Sequence, residues 1–285
     1  MTRTIGNPLS WGARQLSAAG HAVGNAARHL GGDEAQSLPR LRPLEISDMT
    51  EALRLGMHDF SAMRGDLVMA TILYPVIGIG LIWATLHQGA LHLIFPLVFG
   101  FALVGPVAAL GFYELSRRRE RGEDPSWMDV FGVVRAQGFG GIILLSIGLA
   151  ALFIVWLVSA WGIYHLTMGA AAPASAMDFL RAVVLTEGGR LMMVIGIPMG
   201  LVFALVALSV SVISLPLMLD RDIGLPRAVV TSVRLVLRNP VVMLAWGAIV
   251  LAGLVAGAIP FLLGLAVTLP ILGHATWHLY RRAAV

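Results

Sequence analysis

The sequence predicts an all-α polytopic membrane bundle of six transmembrane helices, with short cytoplasmic amphipathic helices and parallel internal repeats. Three observations carry this. Of the 285 residues 58% are hydrophobic and 13% charged, against roughly 45–50% and 25% in an ordinary soluble domain, and a mean hydropathy of +0.83 leaves too little charge to cover a surface in water. The apolar residues gather in uncharged runs long enough for helices of about 20 residues. The basic residues, all of them arginine, are concentrated in the tails and in alternate connections between those runs.

Residues 1–44 hold Gly, Ser, Ala and Arg without an apolar core, which excludes a secretory signal peptide. They are expected to form a disordered or surface-lying tail, in which Trp11, Leu16, Val23 and Leu30 share part of one helical face. The membrane domain is assigned to 45–282. No Asp, Glu or Arg occurs between Asp66 and Glu114, which predicts spans at 67–86 and 93–113 joined by the turn His87 to His92. A third span is predicted at 139–162, followed by a loop from Gly169 to Pro173. Ser175 and Asp178 have N-cap spacing, so a further interfacial helix is expected over 176–187. Spans at 191–218, 241–258 and 260–279 complete the six.

Sidedness follows from arginine. Eighteen of the 20 arginines lie before the first span, in the 114–138 and 220–238 connections, or at 281 and 282, and only Arg181 and Arg190 lie on the other side. Since cytoplasmic flanks carry the basic excess, both termini are expected in the cytoplasm. Lipid headgroups are the expected counter-ions, and nucleic acid is not, because these arginines flank apolar segments rather than forming the face of a soluble module. The absence of cysteine excludes disulfides, thiolate metal sites and a cysteine nucleophile.

The chain also repeats. Residues 95–118 align without gaps on 259–282, with Pro96/Pro260, Gly100/Gly264, Ala102/Ala266, Pro106/Pro270, Leu115/Leu279, Arg117/Arg281 and Arg118/Arg282 identical. Shared prolines and glycines are backbone instructions: one Pro starts a helix, the second kinks it, and small residues permit close approach. Amphipathic segments at 48–62, 125–136 and 224–237 precede each pair of spans. They are expected to lie at the headgroups, with docking of a partner helix as the alternative. Units with an even number of spans enter the membrane in one sense, so the repeats are expected to be parallel.

The stretches 113–127 (YELSRRRERGEDPSW), 214–229 (SLPLMLDRDIGLPRAV), 233–247 (VRLVLRNPVVMLAWG) and 272–282 (LGHATWHLYRR) resemble a bacterial family of predicted integral membrane proteins, domain of unknown function 2189. The resemblance covers roughly 45–282. It implies six spans, a bacterial inner membrane, and no established activity.

One constellation has the residue types of chemistry. His274 and His278 are four apart on the last helix, a spacing that holds one metal ion, although the glutamate of an HExxH motif is missing. In the repeat alignment Glu114 stands where His278 does, and parallel repeats bring such positions together, so Glu114, His274 and His278 are the candidate metal or proton-relay cluster. The competing reading makes His278 and Glu114 headgroup contacts and gives His274 one interhelical hydrogen bond. Arg117, Arg118, Arg119, Arg121, Arg221, Arg281 and Arg282 are the candidate contacts to lipid or a partner protein. Tyr74, Trp83, Trp127, Trp161, Tyr164, Trp277 and Tyr280 are expected to form an aromatic belt. No catalytic or cofactor-binding residue is assigned.

The expected function is therefore non-enzymatic, that of a scaffold or regulator of a membrane complex or its lipid environment. The alternative is a small-solute transporter or channel, motivated by the repeats and the proline-broken second and sixth helices. A membrane enzyme or metal site using Glu114, His274 and His278 comes third.

Overall fold

The computed structural model describes residues 38–62, 72–88, 93–169 and 175–284, and every regular element among them is a helix. The expected helical face of the tail, the start of the first span at 67–71, most of the 87–92 turn and the loop at 170–174 lie outside the described residues. In chain order the elements are α1 (Ile46–Ser61), α2 (Leu73–His87), α3 (Ile94–Ala108), α4 (Leu110–Glu120), a 3-10 helix (Trp127–Arg135), α5 (Phe139–Met168), α6 (Ala176–Leu185), α7 (Glu187–Ser211), α8 (Ser214–Asp220), α9 (Leu225–Arg238), α10 (Pro240–Ala258) and α11 (Leu265–Ala283).

Among the described residues, three stretches are long and apolar enough to cross a membrane: Phe139–Met168, Glu187–Asp220 and Pro240–Ala258, with mean hydropathies of 2.7, 2.6 and 2.3. At 1.5 Å per residue, the 30 residues of α5 reach about 45 Å, more than the roughly 30 Å of a hydrocarbon core. Their outward positions suit lipid, since Ile147, Ile154 and Val158 on α5 and Val194, Ile197 and Leu201 on α7 are exposed. The Ser175 cap is the one expected from the sequence, whereas Thr186 interrupts the helix expected over 176–187. Ser175 accepts the Asp178 N–H at 3.1 Å to start α6, and Thr186 accepts the Gly189 N–H at 3.0 Å to start α7. Gly169 ends α5 at a φ of 84°, a conformation that glycine adopts without a Cβ clash.

Three predicted spans are reshaped by prolines and turns. The segment expected as one helix over 93–113 is α3 and α4, which meet at Ala109; Pro106, inside α3, removes the rung to the Ala102 carbonyl. The 191–218 segment breaks at Val212 and Ile213, because Pro216 offers no N–H to the Val212 carbonyl. The Ile213 N–H freed there reaches Ser232 Oγ on α9 at 3.4 Å. The last helix begins at Leu265 rather than 260, since 259–264 form a turn with Phe261 and Leu262 in the left-handed region at φ of 51° and 66°. The two aligned segments of the sequence repeat thus begin differently: Pro96 lies in the first turn of α3, whereas Pro260 lies in the turn before α11.

α11 is also more protein than span. It falls outside the three apolar stretches, and twelve of its 19 residues are buried. The cause is α1. This amphipathic helix does not present its inner face to headgroups but seats it on α11, through a stripe of Asp48, Met49, Ala52, Gly56 and Asp59 that recurs every three or four residues. The axes come so close that a Cβ on Gly56 would lie 2.7 Å from the Ala275 Cβ and 2.8 Å from the Ile271 carbonyl oxygen. Trp277 and Tyr280, expected in an aromatic belt, instead fill the core here, and Tyr164 is buried as well; Trp83 and Trp161 are exposed at 61% and 49%. The side chains of Tyr74 and Trp127 lie outside the described ones.

The segment 38–44, assigned from sequence to the tail, closes the same end. Arg42 N–H donates to the Ala283 carbonyl at 3.2 Å, Leu41 pairs with Ala284, and Leu44 N–H donates to Asn239 Oδ1 at 2.7 Å. We call this assembly of 38–44, α1, the end of α4, the 3-10 helix, α8, α9 and the end of α11 the head.

Gly56→Leu is expected to destabilise the protein by about 1–3 kcal/mol through overpacking of the α1–α11 contact, read as a lowered Tm by tryptophan fluorescence in detergent. Gly148→Leu on α5, where an added Cβ meets open space, should leave Tm unchanged. Equal Tm values for the two variants would mean that α1 is not seated on α11.

Candidate functional site

The head is organised around one carboxylate. Asp59, in the last turn of α1, is carried by the helix periodicity onto α11, where His278 Nε2 meets its Oδ2 at 2.9 Å. Ser116 of α4 donates to the same oxygen at 2.6 Å, and Arg119 Nε stands 3.4 Å from Oδ1. Ser116 Oγ also lies 2.7 Å from His274 Nδ1. A hydroxyl has a single proton, and Asp59, as an ionised carboxylate, only accepts. The consistent arrangement is a chain in which His274 Nδ1–H donates to Ser116 and Ser116 donates to Asp59. That tautomer leaves His274 Nε2 as a bare lone pair, and this atom is buried without a hydrogen-bond partner among the described residues. Phe112 closes the pocket edge-on, 5.5 Å from the imidazole.

The sequence joined His274 and His278 to Glu114, and the structure joins them to Asp59. Both histidines do lie on one face and serve one acid. Glu114 is fully buried, but its carboxylate is gripped by Arg117 at 2.7 and 2.9 Å and by Arg118 at 2.8 Å, three and four residues further along α4. Among the described residues no three of His, Asp and Glu are arranged to hold a metal ion. The Asp59–Ser116–His274 order also differs from a nucleophilic triad, in which the imidazole stands between acid and hydroxyl so that it can take the hydroxyl proton. Here the serine proton is directed at the carboxylate.

The remaining arginines mostly brace this end. Asp48 accepts from Arg42 and from Arg282, the latter at 3.1 Å. Arg281 spans Glu120 at 2.9 Å and Asp220 at 3.3 Å, so α4, α8 and α11 are tied at one point. The core aromatics join in, with Trp277 Nε1 donating to Glu120 at 3.1 Å and Tyr280 OH to Asp220 at 2.8 Å. Five of the seven arginines singled out in the sequence (117, 118, 119, 281 and 282) therefore hold intramolecular ion pairs. Sequence reasoning missed Asp48, Asp59 and Ser116. The signal for the acids was present, since they bracket the small residues Ala52 and Gly56 at helical spacing; Ser116 had none.

Burial by itself would raise the Asp59 carboxyl, but the hydrogen bonds from His278 and Ser116 outweigh it and hold the group below its ordinary range. Asp48 is likewise held low: burial opposes, and the Glu45 N–H, Arg282 and Arg42 prevail.

Beneath the head, between α3, α4, α7, α10 and α11, lies an apolar cavity of about 250 Å3, bordered by Pro106, Tyr113, Leu205, Trp246 and, as its polar features, Ser211 and Thr276. Both hydroxyls bond their own helices, at Ala207 and Leu272.

The model of a family described as predicted integral membrane protein, DUF2189, matches residues 94–220. This stretch runs from α3 to α8 and holds Glu114, Ser116 and Arg119, while Asp59, His274 and His278 lie beyond it. Of the four resembling stretches, 113–127 falls within the match, 214–229 begins in it, and 233–247 and 272–282 follow it. No curated protein and no solved structure matches the chain.

Asp59→Ala strands the Ser116 and His278 donors and is expected to destabilise the head by about 3–5 kcal/mol, as removal of one partner of a buried pair does. The pH dependence has a definite sign. A carboxyl whose pKa is lowered on folding contributes stability above its unfolded value of about 3.9, and loses it as pH falls through the folded value. The Tm difference between the protein and its Asp59→Asn variant should be constant from pH 8 to 5 and should close below about pH 4. A difference that closes instead between pH 7 and 6 would show that the carboxylate is not the titrating member.

Proposed function

We propose, for a chain that belongs over residues 94–220 to the family of predicted integral membrane proteins of domain of unknown function 2189, a non-enzymatic role: a scaffold or regulator of a membrane complex or its lipid surroundings. The chain crosses a bacterial inner membrane six times, with the head and both termini in the cytoplasm. The observation that carries this reading is the way the head uses its charges. The carboxylates of Asp48, Asp59, Glu114 and Asp220 are all taken up by neighbouring donors, so the head is braced as a rigid body rather than opened as a reaction pocket.

Two further features support the topology. The arginine-bearing connections after α4 and α8 and the end of α11 meet at Glu120, Asp220 and Arg281, as parts on one side of a membrane must. The helices between them are apolar and expose Ile, Val and Leu. Pro106 and Pro270, each inside its helix, support a repeat of the hairpin units, although the helices begin at different points.

The second reading is transport of a small apolar solute, and the 250 Å3 cavity favours it. Both are tested by native mass spectrometry of the C-terminally tagged protein, extracted from its own host in mild detergent. A stoichiometric protein partner is the expected result. A lone chain that carries a retained solute, and moves that solute in reconstituted vesicles, would replace the scaffold with a transporter.

The absence of cysteine makes the topology testable with single substitutions. Glu123→Cys, in the loop after α4, should react with a membrane-impermeant maleimide only in opened cells. Glu187→Cys, at the start of α7, should react in intact spheroplasts. The reverse pattern would invert the orientation.

A further inference from the structure

A polar cavity of about 370 Å3 opens where α4, the 3-10 helix and α8 end together. Five arginines line it, Arg117, Arg118, Arg121, Arg135 and Arg221, against the two acids Glu114 and Asp220. The acids are already satisfied. Glu114 is held by Arg117 and Arg118, and Asp220 by Tyr280 and Arg281. Arg121 and Arg221 hold no ion pair among the described residues, while Arg135 faces the charge of Asp129, which Arg118 holds at 2.7 Å. The bland explanation is that they neutralise helix C-termini, each worth about half a negative charge. Three such ends supply at most about one and a half negative charges against the three guanidinium groups, of which Asp129 offsets part at Arg135, so the positive remainder lies at Arg121 and Arg221.

Its setting gives the depth. The 3-10 helix turns every three residues, so Met128, Phe131 and Val134 form one ridge, and all three are exposed. Arg135, the next residue, lines the cavity at the end of that helix. Gly132 lets the helix sit close to α4, because a Cβ there would lie 2.8 Å from both Glu114 Oε1 and an Arg118 guanidinium nitrogen. An apolar ridge that dips into the acyl boundary carries the adjacent arginines at headgroup level.

We propose that this cavity binds a phosphate group, held by Arg121, Arg135 and Arg221, with the phosphate of an anionic phospholipid as its source. Planar guanidinium forks match phosphate oxygens in pairs. The inference rests on the membrane topology proposed above, which puts this end at the cytoplasmic leaflet. It needs no protein partner, so its failure and that of the scaffold reading are separate.

The test uses the purified full chain in neutral detergent, with Tm read against added dioleoylphosphatidic acid, dioleoylphosphatidylcholine or inorganic phosphate. Phosphatidic acid is expected to raise Tm in a salt-sensitive way and phosphatidylcholine to leave it unmoved. The triple variant Arg121→Gln, Arg135→Gln, Arg221→Gln should need on the order of tenfold more phosphatidic acid for the same shift, or lose it, since tenfold corresponds to about 1.4 kcal/mol. Gln137→Glu, which adds an acid to the lining and removes no ion pair, should weaken binding in the same direction, and Arg54→Gln on the far side of α1 should not. A shift produced equally by inorganic phosphate and lost in the triple variant would support the site and make free phosphate its source. The proposal is overturned if the triple variant keeps the full shift, or if phosphatidylcholine produces the same one.

Discussion

A carboxylate with nowhere else to go sets the layout of this end of the molecule. Asp59 lies at the meeting of α1, α4 and α11, away from water, and an ion removed from water persists only if donors replace its hydration. Ser116, His278 and Arg119 do so, each from a different turn of the two partner helices. Satisfying one acid therefore fixes the rotation of α1 about its axis, the height of α4 against α11, and the tautomer of His274. The tight crossing at Gly56 and Ala275 sets the distance; the carboxylate sets the register.

The other charges differ in weight according to their burial. Glu114 is fully enclosed, so its two arginines are a condition of its being there at all. The Glu51–Arg54 pair on the outer face of α1 is solvated, and water screens a pair of this kind. The proline-induced breaks belong to the same economy of polar groups. A backbone N–H released at Ile213 meets Ser232, and the side chain of Asn239, at the start of α10, accepts from Leu44 while it donates to the Leu235 carbonyl. Irregular backbone in an apolar surrounding survives where a side chain is on hand to receive it.

Local patterns were legible and distant pairings were not. The uncharged run bounded by Asn239-Pro240 and Pro260 located a helix over 241–258, and α10 runs from Pro240 to Ala258. Three amphipathic segments were placed within a residue or two of α1, the 3-10 helix and α9. What α1 rests on was hidden, because its partner lies 219 residues away at His278 and periodicity carries no information at that range. Glu114 was misplaced for a different reason: the repeat alignment drew it toward His278, while Arg117 and Arg118 stood three and four residues along its own helix, the spacing at which ion pairs form. Trp277 and Tyr280 read as belt residues because they lie near the end of an apolar run, and they are core because another helix covers that end.

The clasp between α1 and α11 also orders events in time. Residues 38–59 leave the ribosome early, yet the groups that receive them, from His274 to Ala284, are translated more than 200 residues later. At about 5–20 residues per second, the carboxylate of Asp59 waits on the order of tens of seconds for its partners. Through that interval α1 carries a carboxylate without its partners from α11, and the apolar helices must form without it. Assembly of the head is thus the closing event of biogenesis, so a chain interrupted before α11 would leave its first helix undocked.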